Sequence, residues 1–402
     1  MTERKKQKSA DCRRPIQRNK QRPLVIVAGR KDGHLDQVLL HMLAEAARVE
    51  DWELLDLQFT FYRLPIGLVP AGALTVALPT DPLAIQLRRM GCPTVRMGNL
   101  PHPQDHLMPA VIWDAEAAGL MAAEYFVERG FRDVGYIGHI PWSQGKLQYE
   151  AFARQARSLG CQVHLLRFRD QDLPGAERYK LFSAKVSHWL QSVPKPIGIL
   201  TGSDTQAGRY VAICAENGIL VPDEVAILTR SNTIGCEMAP VPLSSLLPDH
   251  AAYVRRAITL LKDLMAGKAP PREPIRIPPK GLITRRSTDV LAVGDPAVAR
   301  AVRFMWDHLD QDLSVEAVAH EVGIQRRQLE RAFQHHLKRG IHAELRRKRL
   351  DRCCELLRST DLKIADLAPQ VGFRSADFLH ATFKQAFGIT PRRYRLQTAD
   401  KR

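Results

Sequence analysis

No apolar stretch approaches the roughly 20 residues that span a bilayer, and no apolar core follows the basic N-terminus as it would in a signal peptide. The sequence therefore excludes a transmembrane or exported reading, and a cytoplasmic protein with no membrane partner is expected. Cysteine is scarce: Cys12, Cys92, Cys161, Cys214, Cys236, Cys353 and Cys354 are an odd set without a CxxC pair, and the one adjacent pair is poorly placed to bridge itself. Reduced thiols are the expectation. Catalytic signatures are missing as well. The chain has no Gly-x-Ser-x-Gly, no Gly-x-x-x-x-Gly-Lys and no His-Glu-x-x-His. His102 and His106 have metal-like spacing, but Pro101 and Pro103 flank the first and argue for a loop. No enzyme, metal or cofactor is expected.

What the chain has is length, core material and basic charge. Its 402 residues are 45% hydrophobic and 25% charged, which implies packed cores in more than one domain. The net charge of +16 is uneven. Residues 1–22 carry nine Lys/Arg against Glu3 and Asp11, net +7; residues 23–293 are net +2; residues 294–402 are net +7. Such an asymmetry suits ends that meet a polyanion and a middle that handles something uncharged. The basic tail of residues 1–22 is either plain disorder or a nonspecific DNA contact.

From Pro23 onward, short β-branched runs alternate with amphipathic segments. Leu24–Ala28 precedes a helix over 35–49, and Leu74–Leu78 precedes one over 81–90. Val134–Gly138 precedes a helix over 148–159 and Ile197–Leu200 one over 205–217, while Val225–Leu228 leads into a loop. Strands separated by helices predict an open, mostly parallel sheet with both faces covered, which binds ligands at the carboxyl ends of its strands. A proline-rich stretch over 266–279 and a hinge over 285–294 end this region. Asp295-Pro296 then supplies an N-cap and a first-turn proline, and no strand pattern occurs from there to Arg395.

The C-terminal hundred residues repeat. Leu313, Val315, Val318, Val322, Gly323 and Ile324 match Leu362, Ile364, Leu367, Val371, Gly372 and Phe373, and Leu329 and Phe333 then match Leu379 and Phe383 one residue out of step. Each copy is helix, glycine turn and second helix, the helix-turn-helix whose second helix enters the major groove. The first second-helix presents Arg326, Arg327, Gln328 and Arg331, with Leu329, Ala332 and Phe333 inward. Arg and Gln can bond bidentately to guanine and adenine edges. The other presents Arg374, Ser375, Asp377, His380 and Lys384, with Phe378, Leu379 and Phe383 inward. A helix over 342–358 joins them and carries Arg346, Arg347, Lys348, Arg349 and Arg352, from which phosphate contacts, Arg346 and Arg349 among them, are expected. Cys353 and Cys354 fit the core of this helix better than a reactive site.

Residues 294–395 resemble the AraC/XylS-family DNA-binding domain. The resemblance rests on Arg349-x-x-x-Cys353-x-x-Leu356-Leu357 and on Val371-Gly372-Phe373-x-Ser375-x-x-Phe378-Leu379-x-x-x-Phe383-Lys384-x-x-Phe387-Gly388-Ile389-Thr390-Pro391-x-x-Tyr394-Arg395. It implies two reading helices in successive major grooves, roughly 34 Å apart. Pro369, inside the helix before the second turn, departs from the pattern.

Residues 23–288 resemble the periplasmic-binding-protein-like effector domain of LacI/GalR repressors. The carrying segments are Pro109-x-Val111-x-x-Asp114-x-x-x-x-Gly119, Phe131–Gly138, Ile199-x-x-x-x-Asp204-x-x-Ala207, Cys214-x-x-x-Gly218-Ile219-x-Val221–Val225 and Arg285–Thr288. The pairing of the two domains resembles the xylose-operon activator subfamily. The resemblance implies a two-lobed α/β domain over 23–288, a linker over 289–294, an all-α double helix-turn-helix domain over 295–395 and a tail over 396–402. It also implies double-stranded DNA and a small sugar effector as partners, a homodimer, and RNA polymerase if the protein activates. Sugar hydroxyls are held by carboxylates, amides and Arg, with an aromatic face against the ring. Asp204, Asn232, Asp114 and Gln148 are candidates by position, Asp114 equally as a helix cap, and Trp142 either stacks on a sugar or is structural. Two departures leave the effector open between xylose and another sugar. Gln148 stands where the family has Arg, and Thr229-Arg230-Ser231-Asn232 where it has Gly-x-Asp. The alternative is a regulator of this type whose effector domain binds a non-sugar ligand or has lost sensing.

Overall fold

The computed structural model describes residues 22–29, 35–58, 63–98, 102, 104–139, 144–168, 179–290, 292, 295–337 and 339–399. Trp142 and the basic tail up to residue 21 lie outside them. The chain divides into two compact units, residues 1–112 with 252–275, and residues 113–251 with 276–402.

The first unit is organised on a six-stranded sheet of order β11-β5-β4-β3-β1-β2, made of β1 (Leu24–Ala28), β2 (Glu53–Asp56), β3 (Gly72–Thr75), β4 (Thr94–Gly98), β5 (Ala110–Trp113) and β11 (Ile275–Ile277). Its helices are α1 (Gln37–Val49), α2 (Pro82–Arg89) and α8 (His250–Met265). Apart from Leu24, β1 is buried along its whole length, as the unbroken apolar run of a strand covered on both faces requires. β3 lies earlier than the apolar run 74–78 suggests. Thr75 Oγ1 donates to Ala28 O at 2.9 Å and accepts from Ala77 N at 3.0 Å, which turns the chain out of the sheet and leaves 76–78 in a loop.

The second unit begins with a matching sheet of order β12-β10-β9-β8-β6-β7. Its strands are β6 (Asp133–His139), β7 (Gln162–Phe168), β8 (Ile197–Thr201), β9 (Val225–Thr229), β10 (Ser244–Leu247) and β12 (Gly281–Ile283), the last antiparallel to β10. α3 (Ala115–Glu128) and α4 (Gln144–Ser158) cover one face over Tyr136, Phe126 and Phe152; α5 (Tyr179–Ser192), α6 (Asp204–Glu216) and the short α7 (Gly235–Met238) cover the other over Ile137, Phe182 and Ile213. α3 and α4 approach closely because Gly119 has no side chain; a Cβ there would stand 2.4 Å from Gln148 O and 2.8 Å from Phe152 N.

Among the described residues the same unit ends in seven helices: α9 (Pro296–Asp307), α10 (Val315–Val322), α11 (Arg326–Leu337), α12 (Ile341–Ser359), α13 (Ile364–Gln370), α14 (Ala376–Phe387) and α15 (Pro391–Ala399). Asp295 caps α9, accepting from Ala297 N at 2.8 Å, with Pro296 in the first turn. Two cores form here. Val298, Met305, Val318, Leu329 and Phe333 build the first; Leu367, Val371, Phe373, Leu379 and Phe383 build the second. α12 serves both, giving Ile341 and Leu345 to one and Leu350, Cys353, Cys354 and Leu357 to the other. Burial pushes the Cys353 thiol up to about 12, so it is an inert core residue.

Candidate DNA interface and effector site

Each helix-turn-helix bends at a left-handed glycine, Gly323 with φ +74° and Gly372 with φ +76°. Gly372 has a second reason to be glycine: a Cβ would fall 1.9 Å from Leu309 O. Past the turns, α11 and α14 carry the expected reading faces. Arg326, Arg327, Gln328 and Arg331 are exposed on α11; Arg374, Ser375, Asp377, His380 and Lys384 are exposed on or just before α14. Within these faces the residues differ. Arg326 is held between Glu330, at 2.9 Å, and Glu316, and the two carboxylates raise its pKa further. The side chains of Arg327 and Gln328 have no hydrogen-bond partner among the described residues, which leaves them for an outside acceptor. Ser375 is the N-cap of α14, accepting from Phe378 N at 3.2 Å. Phe378, expected inward, is 53% exposed because it sits at the edge of the inward face, its ring still reaching Phe373 at 5.9 Å.

The joining helix corrects a larger expectation. α12 does not present one basic face. Arg347 bonds Glu344 at 2.7 Å and Asp351 at 3.0 Å. Lys348 is buried, paired with Asp289, and lies 4.2 Å over the Trp306 ring. Arg349, expected as a phosphate contact, is half-buried and donates to Leu309 O at 2.9 Å and Gln311 O at 2.6 Å, satisfying carbonyls of the turn after α9. The buried Glu344 organises this helix. Burial alone would raise its pKa, but Arg347 and Arg339 outweigh that and hold it below the ordinary carboxylate range. Arg346 remains exposed, and it lines a groove with His342, Arg349, Arg374, Ser375 and Phe378.

The effector candidates separate into different roles. Asp114 is the N-cap of α3, accepting from Ala117 N at 3.0 Å. Asp204 begins α6 and organises the loop after β9. Its oxygens accept from the Thr229 hydroxyl, Ser231 N at 3.1 Å, and the Thr233 N–H and hydroxyl, each at 2.9 Å. Burial would raise its pKa, yet these donors lower it, so the carboxylate is ionised and occupied within the chain. Asn232 takes a left-handed φ of +49° and accepts from Arg285 Nη2 at 2.9 Å, so its amide also has a partner. Gln148 differs. It is 1% exposed, and its Oε1 has no hydrogen-bond partner among the described residues.

Two family models match the chain: a periplasmic binding protein-like domain over residues 123–288 and a helix-turn-helix domain over residues 318–397. The xylose operon regulatory protein of Escherichia coli strain K12 is 28% identical over 307 residues, covering 75% of this chain and 78% of that protein. The protein of the same name from Haemophilus influenzae is 25% identical over 335 residues, covering 79% and 83%. A solved structure of a xylose-binding transcription activator superposes with a TM-score of 0.58 at 23% identity, over 93% of this chain and 98% of that one, which shows the shared fold. The chain is a ligand-controlled, DNA-binding transcription regulator. In this regulator, reading the sequence missed two features of the second unit. One is the contact of the sensor lobe with the helical domain, through Asp289 with Lys348 and Asp223 with Arg303. The other is Tyr136, fully buried, whose hydroxyl has no partner among the described residues. No local signal marks either.

Proposed function

We propose that this regulator controls sugar-utilisation genes in the cytoplasm. A sugar effector, xylose or a related molecule, bound by residues 23–288 changes how the readers of residues 295–395 meet promoter DNA. The observation that carries the reading is one chain holding both parts: two helix-turn-helix units whose second helices present polar and basic side chains to solvent, and a periplasmic binding protein-like α/β domain in a chain similar to xylose operon regulatory proteins. Arg327, Gln328 and Arg331 read one groove, and Arg374, Asp377, His380 and Lys384 the next, with Arg326 and Ser375 as positioning contacts and Arg346 on phosphate. Effector binding is transmitted through residues 285–294, where Asp289 meets Lys348 of α12. The regulator acts as a homodimer and, if it activates transcription, touches RNA polymerase.

Calorimetry and thermal shift of the full chain against pentoses and hexoses test this. A saturable heat with a raised melting temperature is expected for at least one sugar. No response to any would favour the reading in which the lobe takes a non-sugar ligand or has lost sensing.

A further inference from the structure

The internal repeat aligns α11 with α14 residue for residue, and their exposed positions do not match. Leu329 corresponds to Leu379 and Phe333 to Phe383, all four fully buried, so the register between the helices is fixed. In that register Arg327 corresponds to Asp377 and Gln328 to Phe378, and all four of these side chains are exposed. Where the first helix offers a guanidinium and an amide, the second offers a carboxylate and an apolar ring. Neither a carboxylate nor a phenyl ring attracts a phosphate, whereas both suit base edges: the one accepts from a cytosine amine, the other covers a methyl group.

Phe378 is held in place while half of its surface stays in water. It is 53% exposed, in the first turn of α14. Its N–H donates to Ser375 Oγ at 3.2 Å, which fixes the backbone, and its ring leans on the buried Phe373 ring at 5.9 Å between centroids. The rest of the ring faces the groove it lines with Arg346, Arg374 and Ser375. The first residues of a helix-turn-helix reading helix are those that meet base edges. The thymine 5-methyl is the apolar group that base pairs present in the major groove, and a ring that sheds water against it gains nothing from a base without it.

We infer that Phe378 is a specificity-determining residue that reads thymine through its 5-methyl group, an apolar contact where the equivalent Gln328 makes hydrogen bonds. The inference rests on the placement of α14 in a major groove proposed above. A duplex selected from a random library by the full chain tests it when each thymine in turn is replaced by uracil, since the two bases differ only by that methyl. Fluorescence anisotropy should show a loss of about fourfold, the weight of one buried methyl, for at least one thymine. In Phe378→Ala that penalty should vanish, the variant binding the thymine and uracil duplexes equally. Phe378→Gln, which places at this position the side chain of the first copy, should erase it too. Uracil tolerated at every position, or a thymine preference that both variants keep, would overturn the inference; a loss of affinity in Arg374→Ala or Lys384→Ala would then leave α14 standing as a reader. No effect of those two substitutions and none of uracil would overturn both.

Discussion

Gly323 and Gly372 occupy equivalent turns at nearly the same φ, +74° and +76°, yet their surroundings differ, so replacing each by alanine separates conformational strain from steric strain. At Gly323 no atom lies within 4 Å of an added Cβ. Only the left-handed backbone opposes Ala, at about 1–2 kcal/mol, and the stiffer unfolded chain returns a few tenths. At Gly372 the same strain applies, and the Cβ would also stand 1.9 Å from Leu309 O and 2.5 Å from Arg349 Nε. Relieving that overlap costs about 1–3 kcal/mol more, and losing the 2.9 Å bond from Arg349 to Leu309 O adds about 1 kcal/mol. Gly323→Ala should therefore lower stability by about 1 kcal/mol and Gly372→Ala by about 3–5 kcal/mol. Urea unfolding of the full chain followed by far-ultraviolet circular dichroism reads both. Equal losses, or a milder effect at Gly372, would refute the close approach of the second turn to the end of α9.

Arg327→Ala should cost about 1–3 kcal/mol on a duplex selected from a random library and much less on unselected DNA, measured by fluorescence anisotropy; equal losses would place Arg327 on phosphate. Arg346→Ala should reduce the salt slope of binding by about 1, whereas Arg349→Ala should leave the slope unchanged and lower unfolding stability by about 1–3 kcal/mol. Glu344 has a depressed folded pKa, so its stabilisation is present above the unfolded value of about 4.3 and fades as pH falls through the lower folded value. Glu344→Gln should cost about 3 kcal/mol or more at neutral pH and flatten the acid limb of a stability curve, while an unchanged acid limb would contradict the Arg339–Glu344–Arg347 assignment.

Features set by adjacent residues were legible in the sequence. Asp295-Pro296 announced the cap of α9, the glycine turns announced both helix-turn-helix units, and the apolar runs of β1, β8 and β9 announced strands covered on both faces. What failed depended on partners distant in the chain. The basic stretch of α12 reads as one charged face, but Asp289 and the carbonyls of Leu309 and Gln311 take Lys348 and Arg349, and those partners lie 38 to 59 residues away. Asp204 and Asn232 follow β8 and β9 closely in the chain, yet their side chains hold the loop after β9 together.

Coupling between the sensor and the readers is the central claim, and DNA affinity with and without effector tests it most directly. On the selected duplex, saturating the full chain with whichever probe binds by calorimetry should shift the Kd by about fivefold or more, or change the spacing of the protected half-sites in a footprint. An unchanged Kd together with an unchanged footprint, at a concentration shown to fill the site, would contradict it.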